Sequence, residues 1–66
     1  MDGMALRPTM YRVLFFCRNN PAAGWQGKAQ YNSFEAARLT AIMLQSGTRG
    51  QAVVKDASGR TVFSVG

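Results

Sequence analysis

Apolar, aromatic and β-branched residues fill the stretch from Thr9 to Cys17, and this pattern predicts a first strand. Alternate residues of a strand share a face: Tyr11, Val13, Phe15 and Cys17 on one, Leu14 and Phe16 on the other. Because both faces are apolar, we expect a central strand that is covered, at least in part, on both sides. Residues 19–24, with Pro21 and Gly24, then predict a turn.

The segment from Trp25 to Tyr31 alternates with a period of two, which predicts a second strand. We expect this strand to pair with the first in a hairpin. One face would hold Trp25, Gly27, Ala29 and Tyr31, and the other Gln26, Lys28 and Gln30.

Residues 34–46 have the spacing of an amphipathic helix. Ser33 is a good N-cap, and Gly47 is suited to the position just after the helix. The residues expected to face the sheet are Phe34, Ala37, Ala41 and Leu44. Leu39 and Met43 widen the apolar arc sideways, beyond what one sheet contact needs.

Residues 51–56 and 61–65 predict a second hairpin around Asp56-Ala57-Ser58-Gly59-Arg60, with a type I turn and a bulge at Gly59. If Asp56 lies opposite Arg60, simple pairing puts Val54 opposite Val62, and Val53 opposite Phe63.

The order strand, strand, helix, strand, strand predicts an α+β fold, a four-stranded antiparallel sheet (ββαββ) with one helix packed on one face. Residues 1–8 are expected to be a flexible leader, and residues 9–66 a single domain. A lone helix covers one face of a sheet. The other face is left to solvent, a second copy or a ligand, and we expect function there.

The amino-acid composition excludes several classes of function. The 66 residues include eight Lys and Arg against three Asp and Glu, with no His and one Cys. These counts exclude a disulfide framework, catalytic triads that need His, and zinc sites with more than one Cys or His ligand. The three carboxylates fall in a leader, a helix start and a turn, and Cys17 is interpreted as a small core residue. We therefore expect no enzyme activity, no cofactor and no metal.

The sequence also predicts where in the cell the protein is located. No secretory signal is recognisable, and the apolar run from Val13 to Cys17 is far too short to cross a membrane. We expect a cytoplasmic protein without a membrane partner.

The net charge of +5 directs attention to basic residues on the strands. We predict a contact surface for an anionic partner: Arg12, Phe16, Arg18 and Lys28. Alternation puts Arg12, Phe16 and Arg18 on one face, and Lys28 joins them only if the hairpin register allows it. Leu39 and Met43 form a second, apolar candidate interface.

These features predict a small basic binding or inhibitory module that docks onto a nucleoprotein or nucleic-acid-handling complex, with nucleic acid a possible direct partner. In size and lack of catalytic residues the chain resembles the small inhibitors that phages and mobile elements aim at bacterial defence complexes, such as anti-CRISPR proteins. The alternative is a homodimeric structural or protein-interaction scaffold with no nucleic-acid role.

Overall fold

A computed structural model describes residues 10–47 and 49–66. The leader expected over residues 1–8 lies outside this part of the chain. The described elements are β1 (Tyr11–Cys17), a 3-10 turn (Pro21–Ala23), β2 (Trp25–Tyr31), α1 (Phe34–Gly47), β3 (Gly50–Lys55) and β4 (Thr61–Val65). Their order and the helix packed on the sheet confirm the α+β prediction.

The sheet has the strand order β2-β1-β3-β4, and each neighbouring pair is antiparallel. β1 is a central strand, as predicted. Because β2 and β3 both run antiparallel to β1, they run in the same direction as each other. α1 therefore crosses the sheet between them, and its 14 residues span about 21 Å, close to the length of a six-residue strand.

The core lies between α1 and the sheet face that carries Val13 and Phe15. Val13, Ala37, Ala41, Ala52 and Val54 are fully buried, and Phe15 is 7% exposed. Phe34 and Leu44 pack against this cluster, which confirms the predicted phase of the helix.

Aromatic contacts close one side of the core. The Phe34 ring lies edge-on to Tyr11, with centroids 5.7 Å apart, and edge-on to Phe63 at 6.4 Å. The Thr40 hydroxyl donates a 2.8 Å hydrogen bond to the Tyr31 hydroxyl, which links the helix to β2.

The start of α1 follows the predicted capping. The Ala36 amide donates to Ser33 Oγ at 3.2 Å, so Ser33 is the N-cap. Glu35 accepts a hydrogen bond from Arg38 one turn along, and this bond holds the pKa of the Glu35 carboxyl below its ordinary value. The helix extends to Gly47, one residue further than predicted.

The predicted alternation along β2 is wrong at one point. Ala29 lies opposite Val13, but Gly27 lies opposite Leu14, so Lys28 is an extra residue in a bulge. The bulge separates the predicted apolar face into two halves. Ala29 and Tyr31 stay with the core, whereas Gly27 and Trp25 lie on the opposite face of the sheet, Trp25 beside Phe16.

The second hairpin has the predicted turn but a different register. The Asp56 amide donates to the Arg60 carbonyl at 2.9 Å, and Gly59 has a left-handed φ of 90°. Beyond the turn, however, Lys55 pairs with Thr61 and Val54 pairs with Phe63, because Val62 is an extra residue in β4. The pairings of Val54 with Val62 and of Val53 with Phe63 are therefore wrong. Because of this shift in register, the Phe63 side chain packs against the core cluster.

Acid is expected to weaken this hairpin through Asp56. Hydrogen bonds from the Ser58 hydroxyl and from the Arg60 amide lower the pKa of the Asp56 carboxyl from its ordinary value of 3.8. A lowered pKa in the folded state means that ionised Asp56 stabilises the fold above pH 3.8, and that this contribution disappears as the pH falls through the lower value.

The difference in Tm between the wild type and Asp56→Ala should therefore be largest near neutral pH. It should narrow below pH 3.8, in thermal melts followed by circular dichroism between pH 7 and pH 2. A Tm difference that stays constant across this range would show that the carboxylate charge does not hold the turn.

Candidate partner-binding surface

The sheet face opposite α1 is called the open face here, and cross-strand pairing arranges it in three rows. The first row is Gln30, Arg12, Lys55 and Thr61; the second is Gly27, Leu14, Val53 and Ser64; the third is Trp25, Phe16 and Gln51. The first row is polar and basic, the centre of the second is apolar, and the third begins with two aromatic residues. The open face thus changes in character along the length of β1.

The aromatic pair lies where β1 and β2 meet. The rings of Phe16 and Trp25 have centroids 5.4 Å apart and planes tilted by 40°. Trp25 is 48% exposed, unusually high for the largest apolar side chain. The bulge at Lys28 produces this placement, because without it Trp25 would lie on the core side.

A groove of about 340 Å³ extends from Trp25 of the aromatic pair to Lys55 and Thr61 of the basic row. Its walls are Leu14, Val53 and Trp25, and Lys55 and Thr61 close its polar end. Lys55 Nζ donates to Thr61 Oγ1 at 3.1 Å, and this bond holds the ammonium group beside the groove. The groove therefore has apolar walls and a positive charge at its polar end.

Two cations stand directly opposite each other at that end. Arg12 on β1 pairs in register with Lys55 on β3, and Arg12 is exposed. Lys55 Nζ is bonded to Thr61 on β4, on the side of β3 away from β1. In residues 10–47 and 49–66 neither cation forms an ion pair, so within that part of the chain both charges lack a counterion.

The carboxylates of the described residues are held elsewhere. Glu35 pairs with Arg38 on the helix, and Asp56 binds Ser58 and the Arg60 amide inside the turn. Neither carboxylate belongs to the three rows. The described part of the open face is therefore a positive surface with an apolar centre.

The other basic residues predicted for this surface lie further away. Arg18 follows β1, six residues or about 20 Å from Arg12, and its amide donates to the Arg49 carbonyl at 3.2 Å. Arg18 and Arg49 both line a separate cleft of about 710 Å³ beside the end of α1. Lys28 is exposed at the bulge, next to Gly27 of the open face. The structure thus brings Arg12 and Phe16 onto one face and puts Arg18 and Lys28 at its borders.

The predicted apolar interface lies on the far side of the molecule. Leu39 is 50% exposed and Met43 is 71% exposed, both on α1. Cys17 is a partly buried free thiol that packs against the core cluster, opposite Gly50.

The contact surface predicted from the sequence did not include Leu14, Trp25, Val53 and Lys55, which line the groove. One signal for Trp25 is present in the sequence. A glycine inside a strand pattern often marks a bulge, and Gly27 lies directly beside the bulge residue Lys28. Lys55 and Val53 depend on the pairing of β1 with β3, which local sequence does not specify.

Comparison with protein-family models, with curated proteins and with solved structures finds no match to this chain. Within residues 10–47 and 49–66, no helix has the length and apolar character needed to cross a membrane. The same residues contain no group of three or more His, Cys, Asp or Glu side chains that could hold a metal ion.

Proposed function

We propose that this protein is a non-enzymatic binding module that docks through its open face onto a nucleoprotein or nucleic-acid-handling complex in the cytoplasm. The observation that carries the proposal is the Arg12–Lys55 pair. The two cations are neighbours on the open face, and neither forms an ion pair within residues 10–47 and 49–66. An anionic partner would supply the counter-charge that the described part of this face lacks.

The concrete form that fits is a small inhibitor, of the kind that phages and mobile elements direct at bacterial defence complexes. Support comes from the net charge of +5 and from a sheet face that α1 leaves uncovered. Such a protein would act by surface complementarity, with the basic row of the open face against phosphates of the complex.

Charge reversal tests whether the binding surface is the open face. Arg12→Glu/Lys55→Glu should elute from a heparin column, which serves as a polyanion probe, at much lower salt than the wild type. Its Tm should change little, because exposed charges contribute little to stability and one like-charged pair replaces another.

Arg49→Glu/Arg60→Glu is the matched control, since it alters the net charge equally, both residues are exposed, and neither belongs to the rows of the open face. This control should elute later than the open-face variant. If the two variants elute together, the charge effect is diffuse and the open face is not a binding site.

The exposed Leu39 and Met43 favour the alternative, a homodimeric scaffold that associates through α1. Such a dimer would persist in high salt, because burial of apolar surface does not depend on charge attraction. Sedimentation of the wild type as a dimer, and of Leu39→Glu/Met43→Glu as a monomer, would support this alternative.

A further inference from the structure

We infer that the open face binds single-stranded nucleic acid, with the Phe16–Trp25 pair as the platform for an unpaired base and the Arg12–Lys55 pair as the phosphate contact. The inference rests on the proposed function and names its ligand class. It adds Trp25 and Lys55 to the binding surface and gives the aromatic pair a role of its own.

The half-exposed Trp25 is the first argument for a base. A purely electrostatic partner, such as an acidic protein surface, would account for the exposed cations but not for an exposed aromatic ring beside them. Trp25 packs on Phe16 at one side, with centroids 5.4 Å apart, and keeps 48% of its surface in contact with solvent. Base stacking on such rings is a common way to bind single strands without sequence preference.

The spacing along β1 is the second argument. Arg12, Leu14 and Phe16 are alternate residues on one face, so the basic row and the aromatic pair are about 13 Å apart. The groove of about 340 Å³ fills the interval, with Leu14 and Val53 in its walls. Bases could thus lie over apolar side chains while the backbone they belong to passes the cations.

The geometry of Lys55 is the third argument. Its ammonium group donates to Thr61 Oγ1 at 3.1 Å, which uses one of its three donors. The remaining donors and the guanidinium of Arg12 are suited to phosphate oxygens. In the described chain, Glu35 and Asp56 are engaged elsewhere and do not compete for these cations.

A single strand fits this surface better than a duplex. Bases in a duplex are stacked inside the helix and present only their edges, so they cannot lie on Trp25. A single strand has free base faces and a flexible backbone. The inference therefore predicts a preference for unpaired DNA or RNA over duplex of the same length.

Trp25 is the one tryptophan of the chain, so its fluorescence reports on the open face directly. A twelve-nucleotide oligo-dT should quench the emission on binding, whereas a duplex of equal length, heparin and poly-glutamate should not. With fluorescently labelled oligo-dT, Trp25→Leu should lower affinity about tenfold, and Trp25→Phe should recover part of the loss. Circular dichroism would confirm that both variants are folded.

Salt titration of the same complex tests the cation pair. Arg12→Glu/Lys55→Glu should reduce the slope of log K against log salt by about 0.7 for each phosphate that the variant no longer neutralises. The control Arg49→Glu/Arg60→Glu should leave the slope near the wild-type value. Trp25→Leu should lower affinity without altering the slope, because stacking releases no counterions.

The outcomes separate the inference from the proposed function. If heparin and oligo-dT both bind through Arg12 and Lys55, but Trp25→Leu has no effect and emission is unchanged, the single-strand inference is wrong and the basic docking surface stands. Tighter binding of poly-glutamate than of oligo-dT would also overturn the inference, in favour of an acidic protein partner. If no polyanion binds at low salt, both are wrong.

Discussion

Phe15→Ala is expected to unfold most of the protein, with a loss of about 3–5 kcal/mol in the free energy of unfolding. Phe15 is the largest side chain of the buried cluster, and its neighbours there are valines and alanines that cannot expand into the space left. A domain of this size has a free energy of unfolding of only about 5 kcal/mol or less, so the expected loss is close to its total stability. Urea denaturation followed by circular dichroism measures it.

Phe16→Ala is the matched control, because it makes the same chemical change one residue along the same strand. Phe16 faces away from the core and contacts Trp25, so its loss should cost about 1–2 kcal/mol. Equal losses for Phe15 and Phe16 would contradict the assignment of the two faces of β1. They would instead mean that the open face is covered in solution by another copy of the chain.

Gly50→Ala is expected to have the second largest effect, a destabilisation of about 1–3 kcal/mol or more. Gly50 is buried at the start of β3, and a Cβ there would lie 2.7 Å from Cζ of Phe15 and closer still to the Phe16 carbonyl oxygen. The ring is packed in the core and the carbonyl belongs to the backbone of β1, so neither can move without breaking other contacts. The close approach of the two strands requires glycine.

Gly27→Ala is the control for this substitution. Gly27 also lies in a strand, but a Cβ there would have no heavy atom within 4 Å. Alanine is favoured over glycine in a strand by about 0.5–1 kcal/mol, so this variant should be as stable as the wild type or slightly more stable. Thermal melts of both variants give the comparison, and a larger loss at Gly27 than at Gly50 would contradict the packing described for β3.

The order of elements and the face of the helix could be predicted because local signals act within a few residues. Ser33 begins the helix by capping it, and the spacing of Ala37 and Ala41 determines which side is buried. The turn at Gly59 is likewise local, since a left-handed residue suits glycine wherever it occurs. None of these features depends on a distant partner.

The open face could be predicted only in part, because it depends on register. One extra residue in a strand transfers all later side chains to the opposite face, and Lys28 and Val62 are two such residues. Arg12 and Phe16 could be assigned to one face because they are on one uninterrupted strand. Lys55 joins Arg12 through a pairing between strands separated by the helix, which no local pattern encodes.

The two extra residues also change the geometry of the two edges of the sheet. Lys28 interrupts β2 and Val62 interrupts β4, and these are the outer strands of the sheet. A bulge twists an edge and interrupts its regular row of hydrogen-bonding groups, which disfavours pairing with a strand of another chain. Both edges of this sheet are interrupted in this way, although its face opposite α1 is left uncovered by the helix.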